Sequence, residues 1–176
     1  VFRGDKDAFK GDVFYGLDFG YTNPSALVRV TRDGKEVLLE QKLYKEKLTN
    51  TQLIDRMKKL IPEEERAKCI IYADNAEPDR IEEIKNAGFW CKPCKKPRGN
   101  ASKTGIMIRI DACKRYKLNI TEDSVDLLKE IKGYTFRKDR NGNSLEEPIK
   151  YNDHLVTAVS YAIFSADVGG PNIRVI

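Results

Sequence analysis

Three aspartates stand where strands and helices are expected to end: Asp18 in Tyr15-Gly16-Leu17-Asp18-Phe19-Gly20, Asp74 in Ile70-Ile71-Tyr72-Ala73-Asp74-Asn75, and Asp153 in Tyr151-Asn152-Asp153-His154. Side chains at element ends project from a rigid support into a crevice, which is where chemistry is usually placed. Carboxylates brought together repel one another unless they hold a divalent cation, and an all-oxygen donor set suits magnesium or manganese. Two such ions about 3.5 to 4 Å apart generate a hydroxide and stabilise both the attacking and the leaving oxygen of a phosphodiester. Each acid also has a plainer reading. Asp18 fits a turn, Asp74 fits a cap near the helix that opens at Pro78, and Asp153 with Asn152 fits a helix N-cap. His154, the single histidine, directly follows the third acid and fits proton transfer or phosphate contact as well as packing.

The elements that must carry these residues follow from the hydrophobic periodicity. Asp12 to Asp18 reads as a buried strand, Ala26 to Arg32 and Glu36 to Tyr44 as two more, with an Asp33-Gly34 turn between them, giving an antiparallel meander. Asn50 or Thr51 is placed to cap a helix with Leu53, Ile54, Met57, Leu60 and Ile61 inward, closed by Pro62. Lys68 to Ala73 is a short continuous apolar strand, Pro78 opens a helix that Gly88 stops, and FWCKP is the next strand. A helix from Ser102 to about Tyr116, a short strand KLNIT and a helix from Ser124 to Tyr134 complete the middle. Asn141-Gly142, with Arg137, Lys138 and Arg140 nearby, marks a hairpin or loop excursion, and a last amphipathic helix covers about Asn152 to Ala166. This order, three antiparallel strands and then αβ crossovers, predicts an α/β fold: a mixed five-stranded sheet with helices on both faces, the element order of the ribonuclease H-like fold. In that topology the first and fourth strands are neighbours and the last helix crosses them, so Asp18, Asp74 and Asp153 converge.

The chain of 176 residues is the size of one domain, with 1–11 as an N-terminal extension, 12–166 as the core and 167–176 as a loose tail. It opens at Val1 without an initiator methionine, which suggests a piece of a longer protein. With 34% charged residues and no run of eighteen apolar ones, it excludes disorder, collagen and a membrane-spanning helix. The net charge of +5 is unevenly spread: residues 90–117 hold nine bases and one acid, a local +8, which leaves the remainder at −3. Such a segment is either a solvated lysine-rich face or a surface that meets polyanions. Lys95, Lys96, Arg98, Lys103 and Arg109 are the candidate polyanion contacts, which the resemblance described below makes DNA contacts, with Asn100, Ser102 and the helix start near Ser102 as neutral phosphate donors. Cys91 and Cys94 alone have metal-type spacing, and a zinc site would need two more soft ligands, so reduced cysteines are expected.

Taken together, GLDFGYTNPSAL (Gly16 to Leu27), YADNAEPDRIEEIKNAGF (Tyr72 to Phe89), Lys103 to Ile106 and NDHLVTAVSYAIF (Asn152 to Phe164) resemble the C-terminal nuclease domain of the large terminase subunit of tailed bacteriophages. The resemblance implies a ribonuclease H-like endonuclease that cuts concatemeric double-stranded DNA with Mg2+ or Mn2+ in the cytoplasm of an infected bacterium. It implies an upstream packaging ATPase, a small terminase subunit and a portal as partners, and metal ligands at Asp18, Asp74 and an acid of the last helix. Many relatives carry an aspartate three residues after the histidine of that helix, where this chain has Thr157; Asp153 shares a helix face with that position. No G-x-x-x-x-G-K-[ST] loop occurs in these residues. Three other readings stand beside this one: a junction resolvase or transposase-like nuclease, a DNA-binding or docking module with a weakened centre, and an actin-like or sugar-kinase ATPase suggested by GLDFGYTN. The last requires a second domain and a second phosphate loop that 176 residues do not hold.

Overall fold

The computed structural model describes residues 1–97, 102–134, 136–138, 144–148 and 153–169, with the backbone alone at 102–104, 136–138 and 144–148. The meander is present as β1 (Asp12–Asp18), β2 (Ser25–Asp33) and β3 (Glu36–Lys45), paired antiparallel in sequence order. Gly34, at φ 59°, makes the β2–β3 turn that a side chain would strain. Thr49, rather than Asn50 or Thr51, caps α1 (Asn50–Leu60). Its side chain accepts from the Gln52 amide while the Gln52 side chain accepts from the Thr49 amide, a reciprocal capping box. After a short α2 (Glu63–Arg66) come β4 (Ile71–Ala73), α3 (Pro78–Asn86) stopped by Gly88 at φ 97°, β5 (Cys91–Pro93) and α4 (Ser102–Cys113). Next are β6 (Lys117–Ile120), α5 (Val125–Gly133), the antiparallel pair β7 (Phe136–Lys138) and β8 (Ser144–Pro148), and α6 (His154–Gly169). The Asn141-Gly142 tip and Arg140 lie outside the described residues.

The main sheet has the order β5-β4-β1-β2-β3-β6, so it holds six strands and not the expected five. The five expected strands are all there. The KLNIT segment joins them as β6, parallel to β3 from Glu36↔Lys117 to Leu39↔Ile120. Two side-chain bonds to Glu36, from Lys117 Nζ and Asn119 Nδ2, hold that extra edge, and Ile120 turns into the core. β1 is central and buried on both faces, as the continuous run of its sequence predicts. Its side chains alternate. Tyr15 and Leu17 pack with Leu53, Met57 and Ile84 of α1 and α3, while Phe14 packs with Ala158, Ala162 and Ile163 of α6.

The seating of α6 on β1 fixes everything that follows. A Cβ at Gly16 would stand 1.9 Å from the Ala158 carbonyl oxygen, so only glycine lets the helix backbone approach the strand this closely. At its far end α6 runs to Gly169, three residues beyond the expected stop. Asp167 is tied there to Arg32 at 3.2 Å and to the Tyr116 hydroxyl at 2.6 Å. Residues 170–176 lie outside the described residues. All four cysteines are free, and no helix among the described residues is long and apolar enough to cross a membrane.

Candidate active site

β1 and β4 are parallel neighbours with Leu17 beside Ala73, and the Asp74 amide donates to the Leu17 carbonyl at 3.1 Å. Asp18 and Asp74 therefore leave adjacent strand ends side by side. Asp74 Oδ1 accepts the Ala76 amide at 3.1 Å, which turns the chain away before α3 begins. The cap position of α3 belongs to Glu77, which makes no side-chain capping bond, so Asp74 organises a turn and not a helix start. At the head of α6 the Thr157 amide donates to the Asp153 carbonyl at 2.8 Å, the first bond of the helix, which makes Asp153 its N-cap residue. His154, one position on, reaches Asp18: its Nδ1 lies 2.9 Å from Asp18 Oδ2.

Asp18 is 7% exposed. Burial pushes its carboxyl above the usual carboxylate range, the His154 bond draws it back, and the charges of Asp74 and Asp153 push it up again, with a net rise. His154 is raised in turn, because its bond to Asp18 outweighs burial and Asp153 and Glu130 add their charges. Asp18, Asp153 and His154 share the wall of a cleft of about 470 Å³ with Arg109 of α4, Thr157, Ser160 and Tyr161 of α6, and Tyr134. The Arg109 guanidinium lies 5.1 Å over the Tyr161 ring, and its Nε is buried without a hydrogen-bond partner. Burial followed by the Asp153 charge pushes the Tyr134 phenol up to about 12, and burial with the Asp18 and Asp74 charges raises Tyr161 as well, so both remain proton donors.

Of the residues singled out from the sequence, the cleft gathers Asp18, Asp153, His154 and Arg109 on one wall. Asp74 is not part of that wall, although it lies close enough to raise Asp18. Lys95 and Lys96 are exposed beyond β5. The Lys95 amide donates to Ser165 Oγ, about 16 Å along α6 from His154 at 1.5 Å per residue. Lys103 lies in the first turn of α4, where only the backbone is described; Arg98 and Asn100 lie outside the described residues. A hard divalent cation suits this donor set, since the carboxylates are all oxygen and their mutual charge already disfavours the ionised state of Asp18. Among the described residues the carboxylates are nonetheless not drawn into a group of three that could hold an ion, and Asp18 is engaged by His154 instead.

A family model described as the terminase RNase H-like domain matches residues 18–165, which includes both β1's terminal acid and nearly all of α6. The chain belongs to the terminase RNase H-like domain family. A curated relative, the PBSX phage terminase large subunit of Bacillus subtilis (strain 168), is 26% identical over 157 residues, covering 87% of this chain and 34% of its own length. The chain thus spans about a third of that terminase subunit. Among solved structures, the large terminase nuclease domain of bacteriophage SPP1 with bound Mn superposes with a TM-score of 0.68 at 20% identity, covering 89% of this chain and 86% of that one. The P22 large terminase nuclease domain gives 0.61 at 18%, covering 95% of each chain. The nuclease of thermophilic phage G20c with bound cobalt gives 0.62 at 17%, covering 87% of this chain and 80% of its own. These likenesses establish the terminase RNase H-like fold.

Tyr134, at the end of α5, Tyr161 and Glu130 escaped the sequence reading. Tyr161 lies eight positions into α6 among residues buried on nearly every side, so no polar stripe marks it. Glu130, on α5, is 8% exposed, and its carboxylate accepts from the head of α6. Its signal is legible afterwards: an acid three positions after the buried Leu127, on the apolar face of an amphipathic helix.

Proposed function

We propose that this domain is a divalent-metal-dependent endonuclease that cuts double-stranded DNA by two-metal phosphodiester hydrolysis, as the nuclease part of a phage large terminase subunit. The observation that supports it most is the Asp18–His154 pair, joined across 136 positions of chain at the mouth of a cleft that also holds Asp153 and Arg109. Asp18, Asp74 and Asp153 are the proposed oxygen donors for Mg2+ or Mn2+. Bound ions of this kind supply an ionised water as nucleophile and charge compensation for the phosphoryl oxygens.

The chain's own residues do the rest. His154 orients the Asp18 carboxylate and carries a proton at Nδ1. Arg109 places a positive charge inside the cleft, where a phosphate offers its unpartnered Nε an acceptor. Tyr134 and Tyr161 offer neutral hydroxyls. Lys95 and Lys96, together with Arg98 and Lys103, extend the phosphate contact along the duplex and position it without reading bases. Work on concatemeric DNA in the cytoplasm of an infected bacterium, with a packaging ATPase, a small subunit and a portal, belongs to this reading.

Incubating plasmid with the domain in Mn2+ should nick and linearise it. Asp18→Ala, Asp74→Ala and Asp153→Ala should each abolish cleavage. Cleavage that survives Asp153→Ala removes that residue from the site, and a strong preference for four-way junctions over linear duplex favours a resolvase. The second reading, a DNA-binding module with a weakened centre, draws on the ungathered carboxylates and on Thr157 in the cleft wall. Absence of wild-type cleavage in every divalent metal, with DNA binding retained, establishes it instead.

A further inference from the structure

An aspartate at an N-cap position ordinarily turns its carboxylate back onto the amides two and three residues later, which here belong to Leu155 and Val156. Those amides are already taken. Glu130 Oε2, reaching across from α5, accepts the Leu155 amide at 2.8 Å and the Val156 amide at 3.0 Å. The Glu130 side chain is buried, with the Tyr44 hydroxyl close by, and its Oε1 makes no bond of ordinary length, so the α6 amides are its closest hydrogen-bond partners. Meanwhile Asp153, the residue whose carbonyl begins the helix, is in the wall of the cleft.

We propose that Glu130 caps α6 in place of Asp153, and that this substitution of one carboxylate for another leaves the Asp153 side chain free to serve the cleft. Glu130 is a positioning residue: it touches neither substrate nor ion, and acts through the amides of Leu155 and Val156. The negative charge that a helix N-terminus attracts is supplied by Glu130, from another helix. The same contact pins the head of α6, so the height of His154 against Asp18 is held from two directions, by Glu130 above and by the Gly16 contact below. The role in the cleft rests on the nuclease reading given above; the exchange of caps does not.

The test is made on the 176-residue chain without metal, by following the amide proton shifts of Leu155 and Val156 together with urea unfolding. Asp153→Ala alone should leave both amides in place and the unfolding equilibrium within about twofold, because Asp153 is not capping. In the Glu130→Ala background Asp153 swings onto the vacated amides, so adding Asp153→Ala should now shift both resonances and raise the unfolding constant a further fivefold or so, the size of a lost N-cap. Glu130→Gln keeps an acceptor of the same length and should hold the shifts near those of the wild type. Calorimetric titration with Mn2+ supplies the second readout. Glu130→Ala should weaken binding by about tenfold as Asp153 is withdrawn, and Glu130→Gln should restore most of it. Displacement of either amide by Asp153→Ala alone overturns the proposal even if Glu130→Ala fails to fold. Additive effects of the two substitutions overturn it equally. Loss of the nuclease reading shows separately, as absent plasmid cleavage with the amide pattern intact.

Discussion

Replacing Gly16 by alanine should separate the fold from the chemistry. The new Cβ would stand 1.9 Å from the Ala158 carbonyl oxygen, 2.6 Å from its carbon and 3.1 Å from the Ala162 Cβ. Ordinary contact begins near 3.4 Å, so one backbone must give by about 1.5 Å, and both are regular elements with no flexible side chain to yield. Overpacking of this kind typically costs 1 to 3 kcal/mol, about 2 here, which a domain of this size survives. The site does not survive it as well. Ala158 is four residues into α6, one turn from His154, and a shift of α6 by more than 1 Å breaks a 2.9 Å contact to Asp18 and moves Asp153 with it. A misplacement of that order lowers catalysis by about 100-fold. The assay pairs plasmid cleavage in Mn2+ with urea denaturation. A folded protein destabilised by about 2 kcal/mol, with cleavage down about 100-fold, is expected. Gly16→Ala with both stability and cleavage of the wild type would refute the claim that close seating of α6 sets the site.

Other consequences follow from the same geometry. Arg109→Met should lower DNA affinity about 10- to 100-fold, the value of a charge-assisted bond to phosphate, and reduce the salt slope of binding by about one, read by fluorescence anisotropy at several salt concentrations; unchanged affinity removes Arg109 from the contact. Thr157→Asp adds a carboxylate to the cleft wall one turn from Asp153, and should lower the Mn2+ concentration for half-maximal cleavage; an unchanged or higher requirement argues against metal binding on that wall. Burial alone would raise Glu65 and Glu40, but bonds from Arg29 and Tyr15 to the first, and the charges and bonds of Lys42 and Arg29 to the second, hold both below the ordinary 4.5. The folded state therefore binds these protons less readily than the unfolded one, so their stabilisation is complete above about pH 4.5 and is lost as pH falls through the lower folded values. The urea midpoint should drop across that window, and Arg29→Met should destabilise by about 3 kcal/mol at neutral pH by leaving the half-buried Glu65 without a cation and Glu40 with only Lys42 and Lys6; a midpoint that is flat from pH 6 to 3 contradicts this.

The order of elements was legible because each segment changes period cleanly: the meander alternates, Leu53, Ile54 and Met57 recur at helical spacing, and Ile70 to Ala73 is unbroken. Convergence of Asp18 and Asp74 followed from that order alone, since both end strands that the topology makes neighbours. Lys117 to Ile120 was legible as a short edge-like strand but not as a sixth member of the main sheet, because the contacts to Glu36 that seat it there lie about 80 residues away in sequence. Glu130 was invisible for the same reason. A cap supplied from another helix leaves no local pattern, whereas Thr49 and Gln52 are three residues apart and read as a pair. Arg109 was placed among the surface bases by its charge, while its packing over Tyr161 inside the cleft depends on how α4 and α6 meet.

The link from Asp18 to His154 joins a strand to a helix made 136 residues later. A nascent chain that has emerged only through β5 contains Asp18 and Asp74, yet it lacks the helix that brings Asp153 and His154. Such a nascent chain has no complete site. Assembly of the cleft therefore waits on the docking of α6, and no shorter piece of the chain brings its wall together.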